Sequence, residues 1–213
     1  MSDNVKREYR SVRRAAQAEE TKRTIVAAAA TLFDEIGYGA TTIDAVAAAA
    51  GVSRKTVFAA VGGKVDLVKT AVDWAVAGDD AATPVLDRPV MQAILARDDP
   101  RDLLAAWAHA LVAIDGRVAG LSRALEVASE TDDEARALLE TFRQQRVSSS
   151  REIVKRLAAM DALSAEMSRT EAVDIAWLAT DSVLYDRFVR VRGWSVRRFD
   201  AWLARFLTSQ LLA

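Results

Sequence analysis

The sequence predicts an all-α protein, a small N-terminal head of short helices joined to a larger helical C-terminal domain. Three observations carry that prediction. Alanine is spread along the whole chain while 213 residues contain only three prolines and nine glycines, so few positions oppose helix. Apolar residues recur at i, i+3, i+4 and i+7 in one segment after another, as on one face of a helix. The stretch Thr41–Lys64, TTIDAVAAAAGVSRKTVFAAVGGK, sets two such runs about a glycine, which is the sequence pattern of a helix-turn-helix.

Residues 1–20 lack an apolar period. Lys6, Arg7, Arg10, Arg13 and Arg14 sit there among only two acids before Glu19. The segment reads as a flexible basic arm, either a plain solvated tail or one that adds phosphate or minor-groove contacts. Residues 21–78 form the head. Its first helix turns Ile25, Ala28, Ala29, Leu32, Phe33 and Ile36 to one side and stops at Gly37. Thr41 and Thr42 precede Ile43, Val46, Ala47 and Ala50, so either hydroxyl suits an N-cap. Gly51 supplies the left-handed conformation that ends this second helix. Ser53 caps the third, whose buried side is expected at Val57, Phe58 and Val61. Gly62-Gly63 breaks the chain before a fourth helix, lined by Val65, Val68, Val72, Ala75 and Val76, which connects the head to the second domain.

The first turn of the third helix holds Ser53, Arg54, Lys55 and Thr56, four donors and no acid. A helix N-terminus already presents free N–H groups and a partial positive charge. Two cations and two hydroxyls added there suit phosphates and base edges. The plain alternative is a solvated helical hairpin with an incidental Arg-Lys pair. Lys64 opposes the dipole of its own helix, which costs stability unless an anion lies nearby. A DNA phosphate would be such an anion.

Residues 22–68 resemble the DNA-binding domain of the TetR family of bacterial transcriptional regulators. The matching residues are Ile25, Ala28, Ala29, Leu32, Phe33, Gly37 and Tyr38, then Thr41-Thr42, Ala50-Gly51-Val52-Ser53, Thr56-Val57-Phe58 and Gly63-Lys64. The resemblance implies an all-α protein with an N-terminal three-helix DNA-binding domain and a C-terminal helical ligand-binding and dimerisation domain. It implies a partner, double-stranded operator DNA, met by Thr41, Thr42, Ser53, Arg54, Lys55, Thr56, Phe58 and Lys64, with the lysine on a phosphate. Three positions depart from the family pattern. Phe58 stands where a phosphate-touching Tyr is usual, Ala60 replaces a Tyr or His, and Val61 a Phe. They motivate a competing reading, a dimeric helical interaction scaffold whose helix-turn-helix no longer binds DNA.

The composition shifts at residues 78–84, GDDAATP, and the second domain spans 85–213. Asp87 is expected to open a short helix through Met91, Ile94 and Leu95. Asp99-Pro100 is an N-cap followed by Pro at the first helical position, and begins a run through Leu103, Leu104, Trp107, Leu111 and Ile114. Gly116 and Gly120 predict a kink or a fresh helix to about Ser129. Thr131–Glu134 reads as a capping box opening a helix to Met160, and Ser168–Glu171 as another opening one to Val191. Gly193-Trp194-Ser195 turns the chain into a last helix ending near Leu211.

The last two helices carry wide apolar faces, Trp177, Leu184 and Phe188 on one and Phe199, Leu203, Phe206 and Leu207 on the other. They either pack into their own subunit or form a four-helix bundle with a second copy. In the resembled family this helix pair usually makes the dimer, so a homodimer through these residues is expected. The resemblance also implies a small apolar ligand in the second domain. Trp74, Met91, Trp107, His109, Leu111, Met160, Met167, Trp177 and Tyr185 are the candidates for its pocket; aromatic and Met residues at helical spacing equally make plain core.

Several classes are disfavoured. There is no cysteine and one histidine, so nucleophile–base pairs are few and thiolate metal sites absent. Neither G-x-G-x-x-G nor a P-loop occurs, and no enzyme activity, cofactor or metal is expected. No run approaches the ~18 apolar residues of a membrane span and no signal peptide is evident, so no membrane partner and a cytoplasmic location are expected. Net charge is −1 but uneven: residues 1–65 hold ten Lys/Arg against seven Asp/Glu, and 66–213 nineteen against twenty-three. A modestly basic front on an acidic body fits a DNA-reading head.

Overall fold

The structure is a computed structural model that describes the backbone of residues 2–81 and 83–213 and the side chains of residues 13–81 and 83–213. The head contains α1 (Ser2–Ala40, bent at Gly37), α2 (Ile43–Ala49), α3 (Arg54–Ala60) and α4 (Lys64–Ala77). A 3-10 turn (Val85–Asp87) leads to α5 (Pro89–Leu95), α6 (Pro100–Ser129) and α7 (Asp133–Ala159). The chain continues with α8 (Arg169–Ala179), α9 (Ser182–Tyr185) with a π-helical extension (Asp186–Val191), and α10 (Val196–Leu211). Backbone groups are satisfied within helices, and caps close the ends: Ser53, Asp99, Asp132, Ser168, Asp181 and Ser195 each accept a backbone N–H of the first turn.

Two apolar cores stabilise the molecule, and α6 belongs to both. Its N-terminal half gives Leu103, Leu104, Trp107, Leu111 and Val112 to a core shared with α5, α7, α8 and α10. Its C-terminal half gives Val118, Leu121, Ala124 and Leu125 to the head's core, where they join Ile25, Phe33, Val46, Val57, Leu67 and Val72. The head's core does not stop at residues 78–84; it also takes in Ala135 and Leu138 of α7. Burying a Leu or Val side chain is worth ~1.5–3 kcal/mol, so the head is fastened to the body along the whole second half of α6.

The structure corrects several sequence expectations. α1 runs unbroken through the described residues from Arg13, so Thr21 begins no new element; Lys6, Arg7 and Arg10 lie outside the described side chains. Ile36 is half exposed and Val26 takes its place in the core. On α3 only Val57 is buried, while Phe58 is 46% exposed. Leu67 and Ala71 line α4 beside Val68 and Val72, because α6 covers a wider stripe than the head alone would. Asp87 lies in the 3-10 turn, and α5 starts at Pro89 without a side-chain cap. α6 is continuous through Gly116 and Gly120, whose missing side chains make room for neighbours instead of a kink. The cap of α7 is Asp132, not Thr131. α8 stops at Ala179, where Asp181 restarts the helix as α9. Against expectation α6 is long and apolar enough to cross a bilayer by length and composition, yet it is the central helix of this fold with most of its apolar stretch buried.

Candidate nucleic-acid interface and the second-domain sites

The helix-turn-helix is held by local chemistry. Thr42 Oγ1 accepts the N–H of Ala45 at 3.1 Å, and Ser53 Oγ that of Thr56 at 3.1 Å. The Ser53 and Thr56 hydroxyls bond each other at 2.8 Å. Both caps satisfy orphan N–H groups, so α2 and α3 start where the sequence placed them. Gly51 at φ 67° makes the turn, a backbone conformation that L side chains rarely adopt. The exposed end of α3 therefore shows Ser53, Arg54 and Lys55, with Thr56 half-buried beside them and no acid in that turn. Arg54 lies 5.6 Å above the Phe58 ring and reaches Asp44 of α2 at 2.9 Å. All three are exposed, so this pairing is worth little and is easily exchanged for another anion.

Two predicted contact residues sit elsewhere. Thr41 is 1% exposed and donates its hydroxyl to Gly37 O at 2.8 Å, bracing the bend of α1. Its position one residue before the cap turns it into the core while Thr42 faces out. Lys64 is half-buried, with its Nζ 4.1 Å from the Tyr38 ring centre. Burial lowers its pKa, and Asp132 opposes that shift. Tyr38 donates to Asp132 Oδ2 at 3.0 Å, so the anion answering Lys64 is the carboxylate that also caps α7. The Tyr38 hydroxyl is held protonated by burial and by Asp132, while backbone N–H groups and Tyr38 hold Asp132 ionised. Lys64, Tyr38 and Asp132 thus join the base of the reading head to the body.

A second junction crosses α6. Arg190, in the π-helical extension, donates to Asp34 of α1 at 2.7 Å. The pair passes over Gly120, where a methyl group would coincide with Asp34 Oδ1. A third closes the end of α4: Arg117 donates to Ala75 O at 2.6 Å, and Arg88 to Ala77 O at 3.2 Å. Sequence reading missed these partners. The glycines of α6 were the available signal, and a close approach, not a kink, is what they permit.

The predicted ligand-pocket residues do not line one chamber. Met91, Trp107, Leu111 and Tyr185 are packed into the body core with Met160 and Met167 against it. Trp74 is half-buried against the other core, under Lys22. His109 is 77% exposed and meets Asp200 at the surface. Trp177 is half-buried below Arg146, its Nε1 without a hydrogen-bond partner. Neither recess at the body surface, one of about 210 Å³ between α6 and α9 and an open one of about 710 Å³ between α6 and α10, touches any of them. Of the predicted dimer residues, Phe199, Leu203 and Leu207 are fully buried in their own subunit. The stripe of α10 facing α6 and α8 needed all three, which a hairpin reading could not foresee. Trp177, Leu184, Phe188 and Phe206 remain half-buried at the surface.

The sequence pattern described as bacterial regulatory proteins, tetR family, matches residues 25–71, which are the second half of α1 through most of α4. No curated protein matches the chain. Among solved structures it is similar to NalD, the secondary repressor of the MexAB-OprM multidrug efflux pump in Pseudomonas aeruginosa. That likeness has 20% identity over 91% of this chain and 97% of that one, with a TM-score of 0.66. The SmeT–triclosan complex shares 18% identity over 91% and 92% of the two chains at a TM-score of 0.69. TylP, a TetR regulator from Streptomyces fradiae, shares 24% over 92% and 88% at 0.63. Those likenesses cover both the head and the body, while the sequence match rests on the capped helices and donor-rich turn described above. Residues 25–71 thus carry the pattern of the tetR family of bacterial regulatory proteins, and the chain as a whole shares the fold of these solved structures.

Proposed function

We propose that the protein is a homodimeric cytoplasmic repressor that docks two heads on a palindromic operator and is released when a small molecule binds the body. The observation that carries the reading is the fastening of head to body along α6. The shared core, the Asp34–Arg190 pair and the Tyr38–Asp132 bond leave no soft hinge between them. A rearrangement of the body therefore moves the heads. Major-groove half-sites lie about 34–36 Å apart or at multiples of that, so small rotations prevent both heads from docking. The similar proteins include a repressor, NalD, and a protein in complex with a small molecule, SmeT with triclosan.

In this reading Arg54 and Lys55 meet base edges, and Thr42, Ser53 and Thr56 fix the register on the backbone. Lys64 reaches a phosphate from its place over Tyr38, and Phe58 offers apolar contact to sugars or a thymine methyl. The two copies meet through α8, α9 with its π-helical extension, and α10, where Trp177, Leu184, Phe188 and Phe206 remain half-buried beside the exposed Leu178. Genomic footprinting followed by binding to the recovered site tests the reading. Arg54→Ala should cost ~1–3 kcal/mol mainly at one base position, whereas Lys64→Ala should weaken all sequences alike and lower the salt slope by about one. Sequence-independent binding, or none, would sink it and favour the scaffold alternative. Light scattering tests the dimer: Phe206→Asp should give folded monomer, while Leu207→Asp should not fold.

A further inference from the structure

Among the cations assigned to DNA, Arg54 is met by an acid of the head itself, Asp44 at 2.9 Å. Lys64 is met from the body. Its Nζ lies 4.1 Å from the centre of the Tyr38 ring, and the Tyr38 hydroxyl donates to Asp132 Oδ2 at 3.0 Å. Phe33 stacks on the same tyrosine with ring centres 5.8 Å apart, so the ring is held in place from the head as well. Asp132 is the N-cap of α7, in the turn that follows α6, and stands 94 positions from Tyr38 in the chain.

The three groups form a relay from ammonium to carboxylate. A phenol that donates to a carboxylate gains electron density, and the face of such a ring holds a cation more strongly. Asp132 thus acts on Lys64 through the ring and through space. The Ala135 N–H, then Tyr38, the Glu134 N–H and Lys64, keep the Asp132 carboxyl below its ordinary range, so the charge persists. The other acids close by are committed elsewhere. Asp66 turns back to accept the Gly63 N–H at 2.8 Å, and Asp133 is paired with Arg136. Glu134 is exposed and acts on Tyr38. Gly63, the N-cap of α4, has no side chain to accept an N–H of the first turn, so that helix end stays open to an anion beside Lys64. To meet a phosphate there, the ammonium must leave the ring or share itself with it, and part of the hold exerted by Asp132 is lost.

We propose that Asp132 is a determinant of DNA affinity placed in the body: through Tyr38 it competes with operator phosphate for Lys64 and so limits binding to every sequence alike. The proposal rests on the reading of Lys64 as a phosphate contact and adds to it a residue outside the head. Asp132 itself touches no DNA; it is a positioning residue for Lys64. Partly exposed charges couple weakly, so the competition is worth about twofold to fivefold in affinity at low salt. It fades near ~1 M salt, where screening acts within about 3 Å. Asp132 rides on the turn between α6 and α7 and Tyr38 on the end of α1, so a shift of that turn against the head changes the hold on Lys64.

The test compares full-length wild type, Asp132→Asn, Lys64→Ala and the double variant on the footprinted operator and on an unrelated duplex of equal length. Asparagine caps a helix as well as aspartate does, and its amide can donate to the Tyr38 oxygen, so this replacement removes the charge and keeps the fold. Circular dichroism and thermal unfolding check that. Asp132→Asn should bind both duplexes more tightly by the same factor, about twofold to fivefold at low salt, and like wild type near ~1 M. In the Lys64→Ala background the same replacement should leave affinity unchanged. A second readout needs no DNA: NMR titration of the lysine side chains should find Lys64 losing its proton at lower pH in Asp132→Asn than in wild type. Unchanged or weaker binding by Asp132→Asn, a gain confined to one sequence, a gain that survives without Lys64, or an unmoved Lys64 titration would overturn the proposal. Wild type binding neither duplex would remove the DNA-binding reading and the proposal with it. Operator binding by wild type with no gain in Asp132→Asn removes the proposal alone.

Discussion

Two places on α6, five residues or about 7.5 Å apart along its axis, treat charge in opposite ways. At Gly120 a carboxylate and a guanidinium from distant parts of the chain, Asp34 and Arg190, meet at 2.7 Å. At Asp115 a carboxylate is buried more deeply, yet one of its oxygens has no partner. Arg190 is 32% and Asp34 43% exposed in the first pair, so water screens it and it contributes little to stability. Its value is geometric: it selects one orientation of head on body. The second group is fully desolvated, carries a real cost, and gains nothing from the fold alone. A paired charge at a junction is a fastening; a buried carboxyl without a partner is held in its neutral form.

The largest expected effect breaks the second half of that comparison. Burial, aided by Asp181 and opposed by Arg146, pushes the Asp115 carboxyl up to about 8 from an ordinary 3.8. Between those values the folded protein retains a proton that the unfolded chain has released, so stability falls as pH rises from about 4 to about 8. Asp115→Asn imitates the protonated acid. Urea melts should find the variant equal to wild type below that window and more stable above it by roughly 2–5 kcal/mol. A weaker slope should remain from Glu126, which burial raises in the same direction. An unchanged pH profile would mean that Asp115 is solvated in the folded state.

A smaller effect on stability, with a larger one on regulation, is expected at the junction. Gly120→Ala places a methyl group where Asp34 Oδ1 lies, and the flexible carboxylate must swing away from Arg190. The lost pair costs about 0.2–1 kcal/mol, and the better helix former returns ~1 kcal/mol. Denaturation should therefore move by no more than about 1 kcal/mol in either direction. Operator affinity should change while base preference does not, because the heads keep their chemistry and lose their fixed orientation. The smallest effect sharpens the point. Asp34→Asn and Arg190→Gln, alone and together, should give a coupling energy within about 0.2–1 kcal/mol in a double-mutant cycle of stability. A coupling several times larger would make the junction a stabilising element and weaken the contrast with Asp115.

How much was legible differs by element. Thr42, Gly51 and Ser53 announced the helix-turn-helix because capping and left-handed turns are local chemistry, readable from a few adjacent residues. The same logic placed Asp99-Pro100 and Ser168–Glu171 correctly. Where a residue's role depends on what packs against it, the reading failed. Phe58 and Phe199 are both phenylalanines on amphipathic helices, yet one faces solvent and the other is fully buried. Asp115 carried a signal, a carboxylate one turn after Leu111 on an apolar face, and it passed without comment among the many acids of the body.

By itself the sequence determined the helical class, the capped head with its donor-rich third helix, and the family pattern that residues 25–71 match. Each arises from interactions within a turn or two of chain, where spacing and residue type suffice. Only the tertiary structure decided that α6 serves two cores, that Lys64 is answered by Asp132, that Gly120 admits Asp34 and Arg190, and that Asp115 is buried without a partner. Those outcomes join residues as far as 156 positions apart. Which of two amphipathic helices meets which, and at what register, is settled by packing of the whole, because apolar burial is non-directional and rewards any close fit.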